Sequence, residues 1–136
     1  MTLQKNLVLS KNHADILKKH AKKSEPNESC AILFGKEEDG QFSVKEVFLT
    51  ENVEASPVNF TISSEELIKA YTESDKKKLE VAIFHSHPNS PAYPSSTDHK
   101  YMKVNPVPWV IYSNSNNEFR AYILESTIVP VNVTIL

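Results

Sequence analysis

The chain has 136 residues, 40% hydrophobic and 24% charged, which is enough for one sizeable core but not for two, so a single domain over 1–136 is expected. A net charge of −2 and a pI near 6.2 lack the basic excess of a nucleic-acid module, and no apolar run approaches the roughly 18 residues of a membrane span. The single cysteine, Cys30, precludes an internal disulfide. Together with an opening segment that has no apolar signal core, this makes a cytoplasmic protein the expectation.

In chain order, LVLS (7–10) reads as a short strand ending at Ser10, a helix N-cap. A helix to about residue 24 follows, with Ala14, Leu17 and Ala21 on one stripe. Its lysines (KKHAKK, 18–23), like those of DKKK (75–78), read as solvated helix faces. SCAILFG (29–35) is nearly continuous apolar, as a strand buried on both faces is. The Asp39-Gly40 pair predicts a hairpin turn into FSVKEVFL (42–49). After the looser TENVEASPV come a short strand NFTI (59–62) and a second helix through about Lys77, opened by a Ser63/Glu66 capping box. LEVAIFH (79–85) reads as another buried strand and STDHKYMKV (96–104) as a third, short helix. Segments 107–113, 118–126 and 128–136 read as strands, the first two joined by the turn sequence NSNN, and Pro130 suits an edge strand. The expected class is α/β, a mixed and mostly antiparallel curved sheet of about seven strands with three helices. No Gly-rich phosphate loop is present, which argues against a doubly wound nucleotide-binding fold.

The chemistry concentrates in FHSHPNSPAYPSSTD (84–98). On an extended backbone His85 and His87 point to the same face roughly 6–7 Å apart, close enough for both rings to meet one ion. Asp98 is the third candidate, reached through a loop in which Pro88, Pro91 and Pro94 restrict φ. Two imidazoles, one carboxylate and a position open to water form the pattern of a catalytic rather than a structural zinc site. Read singly, each has a plainer account: His-x-His occurs on surfaces, as do His13, His20 and His99, and Ser95-x-x-Asp98 also fits a helix N-cap that needs no metal. Cys30 reads as core packing rather than as a nucleophile. Phe84 and Trp109 read equally well as core or as pocket wall.

His85-Ser86-His87, seven residues, Ser95, two residues and Asp98 resemble the H-x-H-x7-S-x2-D signature of the JAMM (MPN+) metalloproteases. ESCAILFG (28–35) is similar to that family's E-x-C-G-x-L-x-G segment, with Glu28 in place and Ala31 where a glycine is more usual. NFTISSEEL also looks like the family's pattern, so the resemblance runs from about residue 28 to 113. It implies a cytidine-deaminase-like fold and one zinc per chain, held by His85, His87 and Asp98. By the same resemblance Glu28 would be the general base and acid, and Ser95 the oxyanion donor through its hydroxyl or backbone N–H.

The activity so implied is hydrolysis of the amide bond after the C-terminal tail of a ubiquitin-like β-grasp modifier, SAMP-like among them. Trimming a sulfur-carrier protein to expose its Gly-Gly end is the alternative. The lack of room for the insertions of larger deubiquitinases suggests a minimal prokaryotic-type member. The tail would add to a sheet edge by backbone pairing, with the segment around 50–62 as its contact. A homodimer is among the assemblies the family forms. A non-catalytic MPN scaffold fits less well because no member of the metal set is missing. An iron oxygenase site shares the ligand types but needs no upstream glutamate.

Overall fold

A computed structural model describes residues 5–136. The elements run β1 (Asn6–Leu9), α1 (Lys11–Ser24), β2 (Cys30–Glu38), β3 (Gln41–Thr50), α2 (Ser64–Lys77), β4 (Glu80–His87), α3 (Ser96–Val104), β5 (Trp109–Ser113), β6 (Glu118–Leu124) and β7 (Ile128–Ile135). The curved sheet expected from sequence is instead a closed barrel in the order β1-β3-β2-β4-β5-β6-β7. Closure comes from β1, which pairs in parallel with β3 at Gln41–Ser43 and with β7 at Asn132–Ile135. A strand this short gives no sign in sequence that it serves two neighbours. The sheet is mixed, with β4–β5 the third parallel pair.

The Asp39-Gly40 turn has both residues at positive φ, the two-residue geometry that matches strand twist. Gly35 sits at a β-bulge between β2 and β3. A Cβ there would collide with the Phe42 ring and come 2.7 Å from the Ser43 carbonyl oxygen. Helix α1 is capped as expected, with Ser10 accepting from the His13 N–H. The Ser63 cap of α2 is only half a capping box. Ser63 Oγ accepts from the Glu66 N–H, but the Glu66 carboxylate turns to the Glu51 N–H at 3.1 Å. Nor is 59–62 a strand, because the Asn59 carbonyl and the Thr61 N–H are bonded by the Asn52 side chain rather than by a ladder.

Strand β7 is not an edge strand, though Pro130 lies in the stretch that pairs with β6 alone, where its missing N–H costs no ladder bond. Alternation along the central strands divides the core. Ala31, Leu33, Ala82, Phe84 and Val110 pack with Ala14, Leu17 and Ala21 of α1. Cys30, Ile32, Ile83, Trp109 and Ile111 pack beneath α2 and α3 with Phe60 and Met102. Phe84 is therefore core on the α1 side, and Trp109 lies on the face that carries His85. No helix among the described residues is long and apolar enough to cross a membrane.

Candidate metal centre

Strand β4 runs on to His87 rather than stopping at His85, because β5 pairs alongside it through His87↔Ser113. Both imidazoles thus stand on one strand and face one way, and α3 brings Asp98 to meet them. His85 Nε2 lies 3.0 Å and His87 Nε2 3.2 Å from Asp98 Oδ2, and the two nitrogens are 3.1 Å apart. All three side chains are buried, and among the described residues they form the group able to hold a metal ion.

The donors fit zinc in number and spacing. Ligand atoms at about 2.0–2.1 Å around a tetrahedral ion stand roughly 3.3 Å from one another, close to the triangle observed. His87 Nδ1 bonds the Pro91 carbonyl at 2.8 Å. Since that oxygen can only accept, Nδ1 carries the hydrogen and the Nε2 lone pair is left toward the cluster, the usual outer partner of a ligating histidine. The stiff proline loop therefore fixes a tautomer as well as a path. His85 is held by packing: Phe60 stacks on it at 4.7 Å between centroids, Trp109 meets it edge-on at 5.6 Å, and its Nδ1 is buried without a partner.

Asp98 satisfies both accounts of its spacing at once. Its Oδ2 accepts from the Ser95 N–H at 2.9 Å, and Ser95 Oγ accepts from the Asp98 N–H at 3.1 Å, a complete capping box on α3. Burial alone would raise this carboxyl, but the His85 and His87 rings and the Ser95 N–H outweigh it and hold it well below the usual carboxylate range. Burial keeps His85 below its ordinary value and therefore neutral. Burial also opposes a charge on His87, yet the Asp98 carboxylate and the Pro91 carbonyl raise it. Because the Ser95 N–H is committed to Asp98, only its hydroxyl hydrogen remains to bond anything else.

Glu28 lies just before β2, buried, with Oε1 lacking any hydrogen-bond partner. Burial pushes its carboxyl up to about 8; His87 opposes that rise and Asp98 adds to it. A carboxyl so raised holds its proton at neutral pH and exchanges it near pH 8, as a group that passes a proton to and fro must. The β2–β4 register Cys30↔His85 carries Glu28 to the cluster, reinforced by Ser29, whose N–H and Oγ both bond Ser86 Oγ at 2.9 and 2.8 Å. Alternation along H-S-H already implied that Ser86 faces away from the ligands; its partner was out of reach of the sequence.

Cys30 is packed inside. Its Sγ accepts from Thr50 Oγ1, and burial pushes the thiol up to about 11. His20, expected on an ordinary helix face, instead ties α1 to the sheet, with Nε2–H shared between the Cys30 and Thr50 carbonyls at 2.9 and 3.1 Å. Two hollows flank segment 52–61. One, of about 230 Å³, is apolar and lined by Phe60, Leu67, Ile83, Tyr101 and Trp109. The other, of about 640 Å³, is polar and lined by Glu28, His20, Lys23, Thr50 and Glu51.

A family model described as prokaryotic homologs of the JAB domain matches residues 10–125. The chain is 43% identical over 98 residues to a Pyrococcus furiosus protein named desampylase, a match that spans 71% of this chain and 66% of that one. It is 31% identical over 134 residues to the CysO-cysteine peptidase of Mycobacterium tuberculosis, spanning 93% of this chain and 90% of the relative. The solution structure of a Desulfitobacterium hafniense protein shares the fold, with a TM-score of 0.84 at 24% identity over 96% of this chain and 92% of that one.

Proposed function

The chain belongs to the family of prokaryotic JAB-domain proteins, and from that membership we propose that it is a JAMM-type zinc peptidase. Its substrate in this reading is the amide bond after the C-terminal tail of a ubiquitin-like β-grasp modifier. His85, His87 and Asp98 would hold one zinc ion per chain, which supplies Lewis-acid chemistry and lowers the pKa of a water from 15.7 to about 7.

The protein's own groups account for the proton traffic. Hydrolysis joins the water oxygen to the carbonyl carbon and breaks the C–N bond, and one proton must travel from water to the departing amine. Glu28, buried and with an unpartnered oxygen, accepts that proton and returns it to the nitrogen. The Ser95 hydroxyl donates to the oxygen on which negative charge develops. The observation that carries the reading is the buried triangle of His85, His87 and Asp98 with the unpartnered Glu28 oxygen beside it.

Two substrates draw support from the relatives. The desampylase resemblance favours removal of a ubiquitin-like modifier from its conjugates. The CysO-cysteine peptidase, matched along nearly the whole chain, favours release of a C-terminal residue from a sulfur-carrier protein. The test is to offer zinc-loaded protein isopeptide-linked and linear fusions of β-grasp proteins and to identify the severed bond by mass spectrometry. Cleavage directly after the modifier's tail, abolished by chelator and restored by zinc, is expected. Intact substrates throughout would overturn the proposal.

A further inference from the structure

The backbone of Glu28 belongs to no strand, and both of its polar groups are held by one loop. Its N–H donates to the Ser56 carbonyl at 2.9 Å. Its carbonyl accepts from Asn52 Nδ2 at 3.0 Å. Segment 52–61 is a compact loop whose ends meet, with the Val53 N–H bonded to the Thr61 carbonyl at 3.0 Å, an Ω-loop by length and closure.

Asn52 is the hub of that loop. Besides Glu28, its Nδ2 donates to the Asn59 carbonyl at 2.9 Å, and its Oδ1 accepts from the Glu54 and Thr61 N–H groups at 3.1 Å each. Two donors and two acceptors are all that a primary amide offers, so every one is in use. The same loop carries Phe60, whose ring lies on His85. One side chain thus joins the backbone of the carboxylate, the closure of the loop and the residue packed on a ligand.

We infer that Asn52 is a positioning residue for the hydrolysis: it fixes Glu28 against the metal triangle through the 52–61 loop. The inference rests on the reading of Glu28 as proton carrier, and it is specific to asparagine. Aspartate keeps the two acceptor bonds that close the loop but loses both donors, including the one to Glu28. Alanine loses all four.

The test uses full-length, zinc-loaded Asn52→Ala and Asn52→Asp, each also combined with Glu28→Gln, with amide hydrogen exchange measured beside turnover. Both single variants are expected to fold and to retain zinc, with kcat reduced about 10- to 100-fold, the scale on which misplacing a reacting group acts. In the Glu28→Gln background neither should lower residual turnover further, because groups acting as one unit are non-additive. Exchange at Glu54 and Thr61 should stay slow in Asn52→Asp and become fast in Asn52→Ala. Unchanged kcat in both single variants overturns the inference, as does a loss of the same size with and without Glu28. Near-normal turnover by Glu28→Gln alone overturns instead the proton-carrier reading. Exchange at Glu54 and Thr61 that is unaltered in Asn52→Ala overturns the tether itself.

Discussion

At the scale of single residues, the proposed function separates groups that would hold an ion from a group that would move a proton, and substitution should separate them too. His87→Ala removes one corner of the triangle together with the ring whose Nδ1 is anchored on Pro91. Zinc content should fall from about one ion per chain to a small fraction of that, the ligand set being reduced to two. Elemental analysis checks this, and a fully loaded variant would sink the ligand assignment. Glu28→Gln should instead bind zinc and fold normally while turnover drops by on the order of 10²–10⁴. That His85, His87 and Asp98 come together was legible in the sequence because their geometry is local: i and i+2 on a strand, then a cap at a helix start. Asn52 and the Ser29–Ser86 pair were not legible. An asparagine in a polar loop carries no periodicity, and a buried serine reveals its partner only when the strands lie side by side.

Among the elements, β2 and β3 show how a local rule and a tertiary demand meet. The Asp-Gly turn was readable because few residue pairs accept positive φ at both positions. The bulge at Gly35 was not, although the glycine was visible, because what excludes a side chain there is the Phe42 ring and the Ser43 carbonyl of the neighbouring strand. Gly35→Ala should therefore destabilise by roughly 1–3 kcal/mol, the range for forcing a methyl into a filled space. The site lies at the far end of β4, so zinc content should be unaffected. Denaturant midpoints at constant m-value measure this, and a midpoint equal to that of the parent protein would show that the strands give way freely. The misread 59–62 strand has a related cause. Apolar alternation at Phe60 and Ile62 is genuine, and both side chains are buried, but backbone partners from Asn52 take the place of a neighbouring strand.

For the molecule as a whole, burying Glu28 couples stability to pH. The carboxyl loses its proton near 4.5 ordinarily but near 8 when folded. Between those values the folded state holds more protons than the unfolded one, so stability falls as pH rises, at up to about 1.4 kcal/mol per unit. Glutamine cannot ionise and escapes this loss. Zinc-free Glu28→Gln should thus match the parent protein near about pH 5 and exceed it by a few kcal/mol near about pH 8. Thermal melts across that range check the sign, and a gap that stays constant would rule out the burial penalty. The residue proposed to carry the proton is in this sense a standing cost to the fold.

Barrel closure has a bearing on the molecule's own safety. On the proposed function the protein would meet many extended strands that are not its substrate, and an open sheet would offer each of them a template. Here β1 joins the two ends of the sheet. Among the described residues β1 covers 41–43 of β3 and 132–135 of β7, and it leaves 44–50 of β3 and 128–131 of β7 paired on one side only. The second is blunted by Pro130. The first ends at Thr50, whose carbonyl is already taken by His20. On the proposed function, a tail that docks by backbone pairing would find its rail in 44–50 of β3, whose Thr50 end pairs with Cys30, two residues from Glu28.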